Sequence, residues 1–171
     1  VRIERVNGSL TDHFDPRTNV IRLSDSVYDS TSVAAIGVAC HEAGHAAQHA
    51  EGYAPIRIRN SILPVCNIGS TLGIPLALIG LFMGAEPIIY LGIALYAGIF
   101  IFHLATLPVE FNASRRAISV IDATDLLYDD EIGGAKRVLS AAAMTYVAAA
   151  ISTLLSLLRL IILFGGRRRN D

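Results

Sequence analysis

The 171-residue sequence predicts a mainly helical α+β protein with a small N-terminal β-sheet, a helix that carries an HExxH motif, and a transmembrane helical hairpin. Three observations lead to that class. Short runs near the start alternate apolar with charged residues; His41-Glu42-Ala43-Gly44-His45 follows a largely apolar stretch; and two long uncharged segments flank Gly84-Ala85-Glu86-Pro87.

The strands come first. In 1–6, Val1 and Ile3 alternate with Arg2 and Glu4, and 19–23 behaves likewise, so both runs have the period of a half-buried strand. Asn7-Gly8 and the segment Asp15-Pro16-Arg17-Thr18-Asn19 carry turn chemistry. The resulting sheet precedes the motif helix, where its edge suits backbone pairing with an extended peptide. His13, between Asp12 and Asp15, reads as a structural or solvated turn histidine.

The HExxH segment lies on a helix. Ser30, Thr31 and Ser32 supply N-cap candidates, 33–40 is helix-compatible, and Glu51-Gly52 is a C-terminal stop. Residues four apart lie about 40° apart around a helix, so His41 and His45 can point at one ion. Zinc suits neutral imidazole and keeps an open position when three protein ligands surround it. Glu42 lies on the adjoining side, placed to act on a metal-activated water without being a ligand. His49 continues the spacing but lies about 12 Å along the axis from His41, too far to share the ion. A chain-reversing glycine that would bring it back is missing, because Gln48 stands at that position.

The membrane segments follow from length and charge. Hydrophobic residues make up 53% of the chain and its mean hydropathy is +0.50, which is high for a soluble globule. Residues 62–85 and 88–109 contain no formal charge, and each run exceeds the roughly 20 residues that cross a hydrocarbon core. Pro64, Pro75 and several glycines weaken soluble helices but are tolerated in lipid. The polar break at 84–87 joins the two runs as an antiparallel hairpin. A third apolar stretch, 138–164, is interrupted by Arg159. Ser152, Ser156 and Arg159 form a polar stripe on it, and its alanine triplets at 141–143 and 148–150 suit close packing, so it crosses the bilayer, lies at the interface or packs against the catalytic region.

A third metal ligand must lie on the same side of the membrane as the motif helix. A hairpin crosses twice, so the chain returns to that side near 108, and the first acid it meets is Glu110. Pro108 suits the first turn of a new helix with Glu110 near its start. Asp122, Asp125, Asp129, Asp130 and Glu131 read as capping and loop residues.

HEAGHAAQH, a membrane hairpin, LPVEFNASRRA and the upstream LTDHFDPRTNVIRLS together resemble the YugP-type family of bacterial membrane zinc metallopeptidases over nearly the whole chain. More distantly, EFNASRRA is similar to the glutamate-ligand helix of HtpX-like peptidases, whose pattern is roughly ExxAD. The resemblance implies a gluzincin-like zincin that binds Zn2+ through His41, His45 and Glu110, with Glu42 as catalytic base. Ser114 departs from the distant pattern by offering a hydroxyl where that family has an acid. The resemblance also implies a membrane segment upstream of Val1, so the chain reads as a fragment.

The expected organisation is a discontinuous catalytic region over 1–60 and 110–137, the hairpin over 61–109, the third membrane or interfacial helix over 138–164, and a basic tail over 165–171. The expected activity is hydrolysis of membrane-bound or membrane-proximal polypeptides; the alternative is a noncatalytic membrane scaffold with a structural zinc site. The lipid bilayer is the other expected partner. A net charge of -1 leaves no nucleic-acid footprint. Arg57, Arg59, Arg115, Arg116, Lys136 and Arg137 lie on the catalytic side whereas the hairpin tip has only Glu86, so positive-inside places a multi-pass protein in the cell membrane with its site facing the cytoplasm. Cys40 and Cys66 have no metal-ligand spacing and read as buried free thiols.

Overall fold

The computed structural model describes residues 1–165, so the basic tail lies outside the described residues except for Gly165 at its start. It is mainly helical with a small N-terminal sheet. The elements run β1 (Arg2–Val6), β2 (His13–Asp15), β3 (Val20–Ser24), α1 (Asp25–Tyr28), α2 (Val33–Ala50), α3 (Ala54–Met83), α4 (Glu86–Ala123) and α5 (Asp129–Gly165). The described residues divide into two compact units, one of residues 1–56 and 108–145, the other of 57–107 and 146–165.

In the first unit the strand order is β1-β3-β2, with β3 parallel to β1 and antiparallel to β2. β2 forms where the sequence shows turn chemistry: Phe14 pairs with Ile21, and Asp15 accepts from Arg22 at 2.8 Å and from Thr18 at 2.8 Å. Central strand β3 buries Val20, Ile21 and Leu23. Ile21 and Leu23 pack with Ala46 of α2, and Phe14, Val27 and Ala39 close around them. The opposite side of α2, through Val33, Ile36 and Cys40, covers a second cluster made of Ile121, Leu127, Ile132 and Ala135. α2 is thus apolar on two sides, which the largely apolar run before the motif requires.

Ser32 caps α2 by accepting the Ala35 backbone N–H at 3.2 Å, and Glu51 with Gly52 (φ +63°) ends it. α5 starts with Asp129, Asp130 and Glu131 in its first turn, and Glu131 reaches back to the Tyr128 backbone N–H at 3.1 Å. Asp129, Asp130 and Glu131 thus sit at a helix start and Asp125 in the preceding turn, whereas Asp122, also expected to cap or lie in a loop, is inside α4.

α4 corrects one expectation. No new helix begins at Pro108; a single helix runs from Glu86 to Ala123 with Pro108 inside it. Proline removes one backbone hydrogen bond, which helps to break a marginal helix in water. Here the apolar residues before it and the buried packing of Val109, Ala113, Ala117 and Ile121 after it hold the helix through that position.

In the second unit, Ala77, Ile89 and Phe164 form a core with Leu81, Ile93 and Leu160 around it. α3 and α4 approach closely through small residues: a Cβ on Gly92 would stand 2.5 Å from the backbone N of Ala77. The His103 ring meets the Thr153 hydroxyl at 2.8 Å, joining α4 to α5 within this unit. α3, α4 and α5 are each long and apolar enough to cross a membrane, and only 17% of each most apolar window is buried. Such outward-facing apolar surface is unfavourable in water and suits hydrocarbon.

Candidate metal centre

All the side chains of the centre belong to the first unit. α2 presents His41 and His45 one turn apart, their rings edge to face with centroids 4.7 Å apart. α4 presents Glu110, which is 3% exposed. Its Oε2 lies 3.2 Å from Nε2 of His41 and 3.5 Å from Nε2 of His45. One ligand atom from each residue fits within a span of 4.8 Å, a group that could hold a metal ion. Two imidazole nitrogens and a carboxylate oxygen, all largely withdrawn from water, are a donor set that fits zinc.

The close approach of the two helices has a visible cause. Gly44, inside the motif, lies against Ala113 of α4; a Cβ there would fall 2.8 Å from the Ala113 carbonyl oxygen and 3.2 Å from its Cα. Ala113 is three residues beyond Glu110 and fully buried. The two small residues therefore let α4 come near enough to set a glutamate between two histidines of α2.

Glu42 is buried beside this group. Burial carries it above the ordinary carboxylate range, against the opposing pull of His45, His41 and the Phe14 backbone N–H. A carboxylate raised in this way is a better proton acceptor at neutral pH than a free one. Burial lowers His45, but the hydrogen bond and charge of Glu110, with Glu42 and Gln48, outweigh it and leave the imidazole above its usual value.

Two residues whose part in the centre the sequence did not reveal touch the far sides of the rings. Gln48 places its Oε1 3.0 Å from Nδ1 of His45, and Ser114 places its Oγ 3.2 Å from Nδ1 of His41. Gln48 follows His45 by three residues on one helix, so the spacing offered a signal, but glutamine at that spacing is common on helix surfaces. Ser114 stands where the distant pattern has an acid, and its hydroxyl faces a ring nitrogen. It also lines an open cleft of about 310 Å³ with Phe111, Arg115, Ile118, Lys136 and Leu139. His49 lies outside the group, its ring against that of Phe14 at 5.7 Å between centroids. His13 is also apart from it, with Nδ1 2.7 Å from the Thr11 carbonyl oxygen.

Residues 1–165 match the family described as "Putative neutral zinc metallopeptidase". The chain belongs to that family. It is also 47% identical, over 171 residues, to the "Putative membrane protease YugP" of Bacillus subtilis (strain 168), covering 99% of this chain and 76% of the relative. No solved structure matches it. The family resemblance drawn from HEAGHAAQH and LPVEFNASRRA is therefore shown, and three apolar helices accompany it in the structure.

Proposed function

We propose that this family member is a membrane-embedded, zinc-dependent endopeptidase of the gluzincin type, with His41, His45 and Glu110 as metal ligands and Glu42 as catalytic base. The observation that carries the reading is the convergence of both Nε2 atoms on one Glu110 oxygen, at 3.2 and 3.5 Å, beside a buried glutamate that is not part of the group. When bound there, zinc supplies a Lewis acid that polarises a carbonyl and lowers the pKa of a water toward about 7.

The chain's own residues supply the rest. Glu42 accepts the proton that the attacking water loses and delivers it to the leaving amine nitrogen, so the peptide bond breaks with a net transfer of one proton. Its burial keeps bulk water from competing for that proton. A structural zinc site needs no such base, which weighs against a scaffold role. An extended polypeptide would pair with the sheet edge beside α2, where Phe14 of β2 lies close enough for its backbone N–H to influence Glu42.

Membrane-bound or membrane-proximal polypeptides are the proposed substrates. The support is three helices of spanning length and the similarity to the "Putative membrane protease YugP". The arginines and lysine at 57, 59, 115, 116, 136 and 137 favour a multi-pass arrangement in the cell membrane with the centre on the cytoplasmic face. In this arrangement 1–60 and 110–137 form the catalytic region, 61–109 the hairpin, and 138–164 a third membrane or interfacial segment.

Replacing Glu42 with Gln should leave zinc content at one ion per chain and abolish peptide hydrolysis. Undiminished cleavage by that variant refutes the base assignment. Replacing His45 with Ala should remove the zinc as well, and retention of a full ion would refute the ligand set.

A further inference from the structure

We propose that Gln48 is a positioning residue: it holds the His45 imidazole with its proton on Nδ1 and thereby turns a free Nε2 lone pair toward the metal position. The inference rests on the metal reading above. Its argument starts away from the centre, at Arg116.

A guanidinium can only donate hydrogen bonds. Arg116 gives its two terminal nitrogens to the Glu51 carboxylate at 2.8 and 2.7 Å and its Nε to Asn112 Oδ1 at 2.8 Å. The atom of Asn112 at that point is therefore its oxygen. Gln48 approaches the same oxygen with Nε2 at 2.9 Å and also gives that nitrogen to the Val109 carbonyl at 2.8 Å. Both neighbours of the nitrogen are acceptors. Turning the amide over would set oxygen against two oxygens, and Gln48 is 0% exposed, so no water is at hand to relieve the clash.

With the nitrogen held on that side, the amide oxygen faces His45, 3.0 Å from Nδ1. An amide oxygen only accepts, so Nδ1 carries the hydrogen. In a neutral imidazole the lone pair then belongs to Nε2, the atom 3.5 Å from Glu110. One exposed ion pair, one asparagine and one buried glutamine thus transmit a fixed polarity to a ligand ring. Among the described residues no buried side-chain nitrogen or oxygen lacks a partner, so nothing in this chain of bonds is left open.

The test uses the full chain in detergent micelles and zinc as the probe, with affinity measured by competition against a chelator. Gln48→Met, close in shape but without donor or acceptor, should weaken zinc binding about 10- to 100-fold and alter the absorption spectrum of the cobalt-substituted protein. Gln48→Glu keeps an acceptor for Nδ1–H but sets its second oxygen against those of Val109 and Asn112, so it should lower the unfolding midpoint yet hold zinc more tightly than Gln48→Met does. Equal weakening of both variants overturns the inference, because it would trace the loss to the bonds with Val109 and Asn112. Equal affinity of Gln48→Met and wild type overturns it while leaving the metal reading intact. A wild-type chain that takes up no zinc overturns the metal reading and this inference with it. Nitrogen-15 spectra of the zinc-loaded wild type decide the point without any variant. Ligation of His45 through Nε2 with a proton on Nδ1 upholds the inference, and ligation through Nδ1 overturns it.

Discussion

At the residue scale the centre depends on which atom each ring turns inward. His41 and His45 both direct Nε2 to Glu110, and a polar oxygen meets each Nδ1. Such outer partners set ring orientation and raise ligand basicity. Removing the Ser114 hydroxyl as Ser114→Ala should weaken zinc binding by about tenfold while the chain stays folded, as read by chelator competition beside a thermal melt. His49→Ala should leave zinc content at the wild-type level in the same assay, because that ring packs on Phe14 instead. The spacing of HExxH made His41, Glu42 and His45 legible as a group. The Nδ1 partners were not legible, because a glutamine three residues on, or a serine in a distant helix, becomes an outer partner only once the rings have a fixed direction.

Two contacts govern the elements. Gly44 allows α4 to approach α2, and the Ser32 hydroxyl closes the start of α2. In Gly44→Ala the new methyl meets backbone atoms of Ala113, which have no rotamer to yield; the cost is about 1–3 kcal/mol for overpacking. The variant should show a lower unfolding midpoint and weaker zinc binding together, since the same contact sets the distance from Glu110 to the histidines. Ser32→Ala should cost about 1 kcal/mol of stability, measured by denaturant or thermal unfolding, with zinc content preserved. Helix α2 was legible from its caps and its apolar approach. The run of α4 through Pro108 was not, because propensity alone penalises an internal proline and only the packing of Val109, Ala113 and Ala117 offsets it. β2 escaped for a related reason: a three-residue edge strand is made by its neighbour β3, and of its own residues only Phe14 favours a strand.

At the scale of the whole molecule, exposed and half-buried ion pairs brace the first unit. Asp15 is held below the usual carboxylate range by the Arg22 guanidinium, Asp25 by Arg5, and Glu51 by Arg116. A depressed carboxylate stabilises the fold fully above its unfolded pKa and loses that contribution as pH falls through the folded value. The contribution of these three pairs should therefore be constant at neutral pH and decline on acidification below the ordinary carboxylate range. Thermal melts across that range check it, and the decline should be smaller at high salt, where screening already weakens these pairs. Zinc should raise the unfolding midpoint in a concentration-dependent way, and a chelator should reverse the shift. The outward apolar surface of α3, α4 and α5 predicts that the full chain stays with the membrane fraction under alkaline wash and leaves it only with detergent.

The sequence by itself determined the helix that carries His41, Glu42 and His45, the apolar hairpin, the small sheet and the family. These rest on local spacing, run length and caps, which short stretches of chain express without help from distant ones. It also pointed to Glu110, by counting membrane crossings. Only the tertiary structure decided that α4 is unbroken at Pro108, that Gly44 and Ala113 set how near Glu110 comes, and that Gln48 and Ser114 face the rings from behind. The physical reason is that hydrogen-bond direction and helix approach are settled between segments more than sixty residues apart, where no periodicity reaches.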